Sequence, residues 1–145
     1  MAKIIKWDTE PQTISASYSL WRTALVGVVL GVVYWGLTAF IGRFVDSTNI
    51  SGDIATILIA TIGIIVMLRL RIAQPLIIAV ATGAALWGLA RWTSGLAWGE
   101  VAAWSALLYG LAYILFSWIA RYARIVPVLI IIVLIVIVLR ITIAL

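Results

Sequence analysis

The chain has 145 residues, 66% of them hydrophobic and 10% charged, with a formal net charge of +5 and a mean hydropathy of +1.24. Soluble domains are only about half apolar, so this composition predicts a single-domain integral membrane protein. Cys and His are both absent, which excludes disulfides and thiol redox chemistry and removes the usual haem and zinc ligands together with the commonest general base.

Residues 1–22 form a lead-in with Lys3, Lys6, Asp8 and Glu10, then Pro11 and the polar run Gln12 to Ser17. A signal peptide would set its apolar core directly after the lysines, so no cleavage is expected and the segment is assigned to the cytoplasm. Ile4, Ile5 and Trp7 are placed to dip into the interface.

The first span is predicted at 23–42, with Trp21 and Arg22 as its aromatic and basic anchor. Gly27 and Gly31 form a GxxxG pair, which lets a second backbone approach closely. A polar loop, 43–53, follows, and Ser51 or Asp53 is expected to cap the second span.

The second and third spans, 54–70 and 72–90, read as a transmembrane hairpin about the basic turn Arg69-Leu70-Arg71-Ile72-Ala73-Gln74-Pro75. Seventeen residues of helix rise about 26 Å, close to the hydrocarbon thickness. Pro75 suits a first helical turn, where no intrahelical N–H is lost. Thr56, Ala60, Gly63 and Met67 with Thr82 and Gly83 form a small-residue seam. Close packing accounts for it, with a narrow pore lining as the alternative.

A short aromatic loop around Trp92 and Trp98 leads to the fourth span, 101–120, opened by Glu100. Ser105, Tyr109 and Tyr113 fall at spacings of four on one side of this helix, and Ala106 and Gly110 on an adjoining side. Buried hydroxyls need partners, so the first side should meet protein or a wet cavity. After Arg121 and Arg124, the last span (125–145) contains fourteen unbroken apolar residues, Val126 to Leu139. In water this Ile/Val run would read as strand, but lipid obliges the backbone to satisfy itself, so a peripheral helix is expected.

The fold class is therefore an all-α, polytopic bundle of five transmembrane helices. Basic residues favour the cytoplasmic side of short loops. Lys3, Lys6, Arg22, Arg69, Arg71, Arg121 and Arg124 then lie inside, while Arg43, Arg91 and Arg140 are balanced outside by Asp46, Asp53 and Glu100. The N-terminus is expected in the cytoplasm and the C-terminus outside, in a multi-pass protein of a prokaryotic cytoplasmic membrane.

That outer set, Arg43, Asp46, Asp53, Arg91, Glu100 and Arg140, is a candidate charge cluster, for an ion-pair network, a divalent cation or an anion. Helix ends meeting water are the preferred explanation, since surface ion pairs contribute little. No carboxylate lies mid-span, as a proton-coupled exchanger would need. No nucleotide loop, nucleophile elbow or flanking carboxylate pair occurs. No catalytic residue, cofactor or metal site is assigned, and the singly scattered basic residues make no nucleic-acid stripe.

Five spans and eight tryptophans resemble in composition the tryptophan-rich sensory (translocator) proteins, which bind porphyrins and sterols. Their proline-rich, tryptophan-containing loop after the first span has no counterpart here, so no ligand or residue is carried over.

The leading expectation is a non-catalytic structural or accessory subunit in the lipid bilayer. It would pack against a second copy or another membrane protein through the Gly27/Gly31 side of the first span and the uniform last span, with Ala106 and Gly110 as further helix-packing residues. The alternatives are a small oligomeric channel or carrier lined by Thr56, Thr61, Tyr109 and Tyr113, and a binder of an apolar ligand at the aromatic ends of spans three and four.

Overall fold

The structure, a computed structural model, describes residues 13–72, 74–122 and 125–144, with side chains placed over 20–72, 74–120 and 129–143. Residues 1–12 of the lead-in, Ala73, the second basic turn at Arg124, Leu145, and the side chains of Arg121 and Pro127 lie outside the described residues.

The described residues form six helices and no strand: α1 (Thr13–Ile41), α2 (Thr48–Arg69), α3 (Pro75–Ala85), α4 (Leu89–Trp92), α5 (Trp98–Tyr122) and α6 (Ile125–Ala144). Among the described residues, four stretches are long and apolar enough to cross a membrane: Leu20–Ile41, Thr48–Arg69, Pro75–Trp92 and Trp98–Ala120. α6 is a helix despite its β-branched composition, and its described side chains, Leu129–Ile143, are apolar apart from Arg140 and Thr142. The chain has the build of a multi-pass membrane protein.

Beyond three-residue shifts at the starts of α3 (Pro75, not 72) and α5 (Trp98, not 101, which puts Glu100 inside the first turn), three features depart from the sequence expectation. α1 begins at Thr13, ahead of the lead-in's assigned end, because Thr13 to Ser17 join the same helix. α2 begins at Thr48, so Ser51 and Asp53 lie inside the helix, and Ser47 holds the capping position in an extended conformation. Ser51 Oγ donates back to the Thr48 carbonyl (2.9 Å), a bond available only within a helical turn.

The third departure matters most. The stretch 72–90 is not one helix: α3 ends at Ala85, Leu86–Gly88 form a turn, and α4 resumes for four residues. Gly88 carries the chain through φ +88°, a left-handed conformation that L side chains disfavour. At the other end of this span Pro75 sits in the first turn of α3, preceded by Gln74 at φ +54°.

α1, α2, α3 and α5 close into a ring in which α1 touches α2 and α5, and α3 touches α2 and α5. α6 lies outside it, against α3 and α5. Only Ile132 is buried along its described length, with Ile135 and Val136 half-buried. The most extensive interface is α1 with α5, and its cause is the small-residue face. A Cβ on Gly27 would lie 2.8 Å from the Tyr109 carbonyl oxygen and 3.0 Å from Gly110 Cα; one on Gly31 would collide with the Ser105 carbonyl and lie 2.7 Å from Ala106 Cα. Backbones approach this closely only where side chains are missing.

Gly83 packs on Ala60 and Thr56, joining α3 to α2, and Gly63 leaves room for the Tyr113 hydroxyl and Leu30. Tyr34, Ile59, Met67, Tyr109, Tyr113 and Phe116 fill the middle, each at most 2% exposed. Large apolar side chains cover the outside, among them Leu25, Val29, Ile57, Ile65, Leu111 and Leu134. That arrangement matches a lipid solvent, in which helices associate by packing rather than by a hydrophobic driving force.

Candidate functional site

The break at Gly88 organises one end of the bundle. Because the backbone turns away there, a cleft of about 660 Å³ opens between the start of α2, the α3–α4 turn and the end of α6. Asn49, Gly52 and Asp53 line it from α2, Trp87, Gly88, Arg91 and Trp92 from the broken span, and Arg140 and Ile143 from α6. Arg91 Nε donates to Asn49 Oδ1 at 3.2 Å, which fixes the direction of that guanidinium. The Arg140 guanidinium lies over the turn: a Cβ added to Gly88 would stand 3.9 Å from one of its terminal nitrogens and 3.6 Å from Trp92 Nε1. Two guanidiniums and one carboxylate give the cleft a net positive charge, and no ion pair joins them among the described residues.

Trp92 also lines a second cavity, of about 520 Å³, that runs between α3, α5 and α6. Its walls are Leu86, Leu108, Leu111, Leu115, Ile135 and Leu139 with their apolar neighbours. A polar cleft and an apolar groove therefore meet at one indole. Chemically, the pair is amphipathic: donors for an anion at the helix ends, and hydrocarbon walls toward the bundle's middle.

The predicted charge cluster divides. Asp53, Arg91 and Arg140 share the cleft, Asp46 lines a different cavity between α1, α2 and α5, and Arg43 and Glu100 line neither. The predicted polar lining also divides. Thr56, Tyr109 and Tyr113 are buried, but Thr61 is exposed on the outer face of α2, where its hydroxyl donates to the Ile57 carbonyl at 3.0 Å. Thr56 is likewise self-satisfied, donating to the Gly52 carbonyl at 2.8 Å. The tyrosine rings pack on one another, Tyr34 against Tyr109 at 5.3 Å. The interior of the ring is thus filled by side chains.

Gly27 and Gly31 meet Ala106 and Gly110 within the same chain. That face is consumed internally and is not presented to a second molecule. Ser105, on the neighbouring side of α5, is fully buried with Tyr109 and Tyr113.

Sequence reasoning did not single out Asn49, Gly88 or Trp92 as site residues. Asn49 and Asp53 are four apart, so they share a helix face once α2 is known to begin at Thr48. Gly88 is an isolated glycine in an apolar run, a weak sign of a break.

Architecture and cleft together define a helical membrane bundle with a discontinuous span. Comparison with protein-family models, with curated proteins and with solved structures finds no match for this chain.

Proposed function

We propose that this chain is a non-enzymatic, five-span membrane protein that binds an anionic amphiphile, a phospholipid with a net negative headgroup, at the cleft beside Gly88. The observation that carries the reading is the broken third span lining a charged cavity. Non-helical backbone at membrane depth is tolerated where it is buried in protein or lines a wet cavity, and such breaks mark binding sites in membrane proteins. Arg91 and Arg140 supply N–H donors suited to a phosphate. The groove past Trp92 accepts an acyl chain.

In this reading α6 is the fifth span, since twenty helical residues rise about 30 Å. The positive-inside tendency supports a reading with the N-terminus in the cytoplasm and the cleft toward the outer leaflet of a prokaryotic cytoplasmic membrane. A second reading, an accessory subunit docking on another membrane protein, draws on the exposed length of α6 alone.

The test is lipid retention. Purified in mild detergent, the protein should carry anionic phospholipid detectable by native mass spectrometry. Arg91→Gln with Arg140→Gln should reduce it by about tenfold or more, since each charge-assisted hydrogen bond contributes roughly 1.5–3 kcal/mol. Unchanged retention in the double variant would refute the assignment.

A further inference from the structure

On the other side of Ala90 lies a cavity of about 320 Å³ with the opposite electrostatic character. Asp46 lines it, and no basic residue does. Four of the hydroxyl groups that line it have their protons committed elsewhere. Thr38 donates to the Tyr34 carbonyl (2.9 Å), Ser51 to Thr48 (2.9 Å), Thr93 to Leu89 (2.9 Å) and Ser94 to Arg91 (2.7 Å). Each hydroxyl can then offer a ligand only oxygen lone pairs.

Two further features sharpen this. The indoles of Trp35 and Trp98, both lining the cavity, stack at 5.8 Å with 27° between their planes, and Trp98 is 75% exposed. An indole face of this kind attracts a cation. The Tyr34 hydroxyl, in a residue 2% exposed that also lines the cavity, has no hydrogen-bond partner of good geometry among the described residues. Its neighbours Thr38 and Thr56 direct their own protons to backbone carbonyls, and the Ala90 backbone also lies beside it. A buried hydroxyl without a partner is costly. An N–H donor able to reach it would engage its oxygen lone pair.

We infer that the cavity between α1, α2 and α5 is a binding site for a primary ammonium group, with Asp46 as counter-ion, Trp35 and Trp98 as the aromatic wall, and the hydroxyl oxygens as acceptors. An anion would face the Asp46 carboxylate with no basic residue to answer it, and a neutral apolar molecule would leave the carboxylate and lone pairs unanswered. A quaternary ammonium would satisfy the charge but has no N–H to give to the acceptors. The volume suits a small headgroup or a small free amine.

The experiment is calorimetric titration of the full chain with ethanolamine hydrochloride, in nanodiscs of phosphatidylglycerol and, separately, of phosphatidylethanolamine. Saturable binding in phosphatidylglycerol discs is expected. Asp46→Asn, at an exposed loop position, should weaken it by at least about tenfold with an unchanged melting profile, a change equivalent to ~1.4 kcal/mol. Tetramethylammonium should bind more weakly than ethanolamine, and neutral ethylene glycol not at all. Saturation lost in phosphatidylethanolamine discs would assign the site to a lipid headgroup; saturation in both would assign it to a soluble amine. No saturation in either disc, an unaltered Asp46→Asn isotherm, or equal binding of ethylene glycol would overturn the proposal.

Discussion

Gly31 and Gly36 stand five positions apart on the same helix and have opposite tolerances. A side chain at Gly31 would enter the space of the Ser105 carbonyl and the Ala106 backbone, whereas nothing lies within 4 Å of a Cβ at Gly36. Gly31→Leu should therefore lower thermal stability in detergent by several degrees or abolish the folded species, and Gly36→Leu should leave it within about 0.5 kcal/mol of wild type. Thermal melts followed by circular dichroism distinguish the two. Tyr109 makes a different test. Its hydroxyl is buried without a partner, so Tyr109→Phe should be neutral or stabilising by up to about 1 kcal/mol, because the change removes an unpaired polar group and keeps the ring.

At this scale the sequence was partly legible. The small-residue faces of Gly27/Gly31 and Ala106/Gly110 are visible in their four-residue spacing. That they face each other is not, since any close-packing helix would satisfy either one. Thr56 and Thr61 differ by five positions, about 140° around a helix, and that arithmetic alone separates them onto different faces. Asp53, Arg91 and Arg140 could be grouped by predicted depth, but depth carries no information about position around the bundle. Asp46 was grouped with them for the same reason and lines another cavity.

Among the elements, the third span is the most informative. Read as continuous because its apolar character never lapses, it is in fact interrupted by the turn Leu86–Gly88. Hydropathy reports where lipid is and is blind to a local change of backbone direction. The interruption depends on φ +88° at Gly88, which an alanine would adopt at a cost of about 1–2 kcal/mol. Gly88→Ala should lower stability by that amount and weaken retention of anionic lipid, whereas Gly95→Ala, at φ +91° in the exposed loop before α5, should lower stability alone. Paired unfolding and lipid-retention measurements read the difference. The early start of α2 escaped for a related reason: Thr48 to Asp53 have turn-forming composition, yet polar residues are acceptable in a first helical turn at an interface.

For the whole molecule, the arrangement of a closed four-helix ring with its centre filled by Tyr34, Tyr109, Tyr113, Phe116 and Met67 has a direct experimental consequence. Vesicles reconstituted with the protein should stay tight to small ions and solutes, as followed by dye efflux, because these buried side chains occupy the space between the four helices among the described residues. Leakage proportional to protein content would contradict this packing. The all-helical, membrane-crossing build was legible because lipid leaves the backbone few options. The ring itself was not, since helix order around a bundle rests on contacts distant in sequence.

The pairing of the first helix with the fifth carries a cost in time. The surface that Gly27 and Gly31 fit, around Ser105 to Gly110, follows them by roughly eighty residues. At about 5–20 residues per second of synthesis, α1 enters the bilayer several seconds before that surface exists. During the interval its bare glycine face is exposed to any neighbouring helix, including the same face of another nascent copy. Fidelity of assembly thus rests on keeping newly made chains apart until α5 arrives, a demand that grows with expression rate.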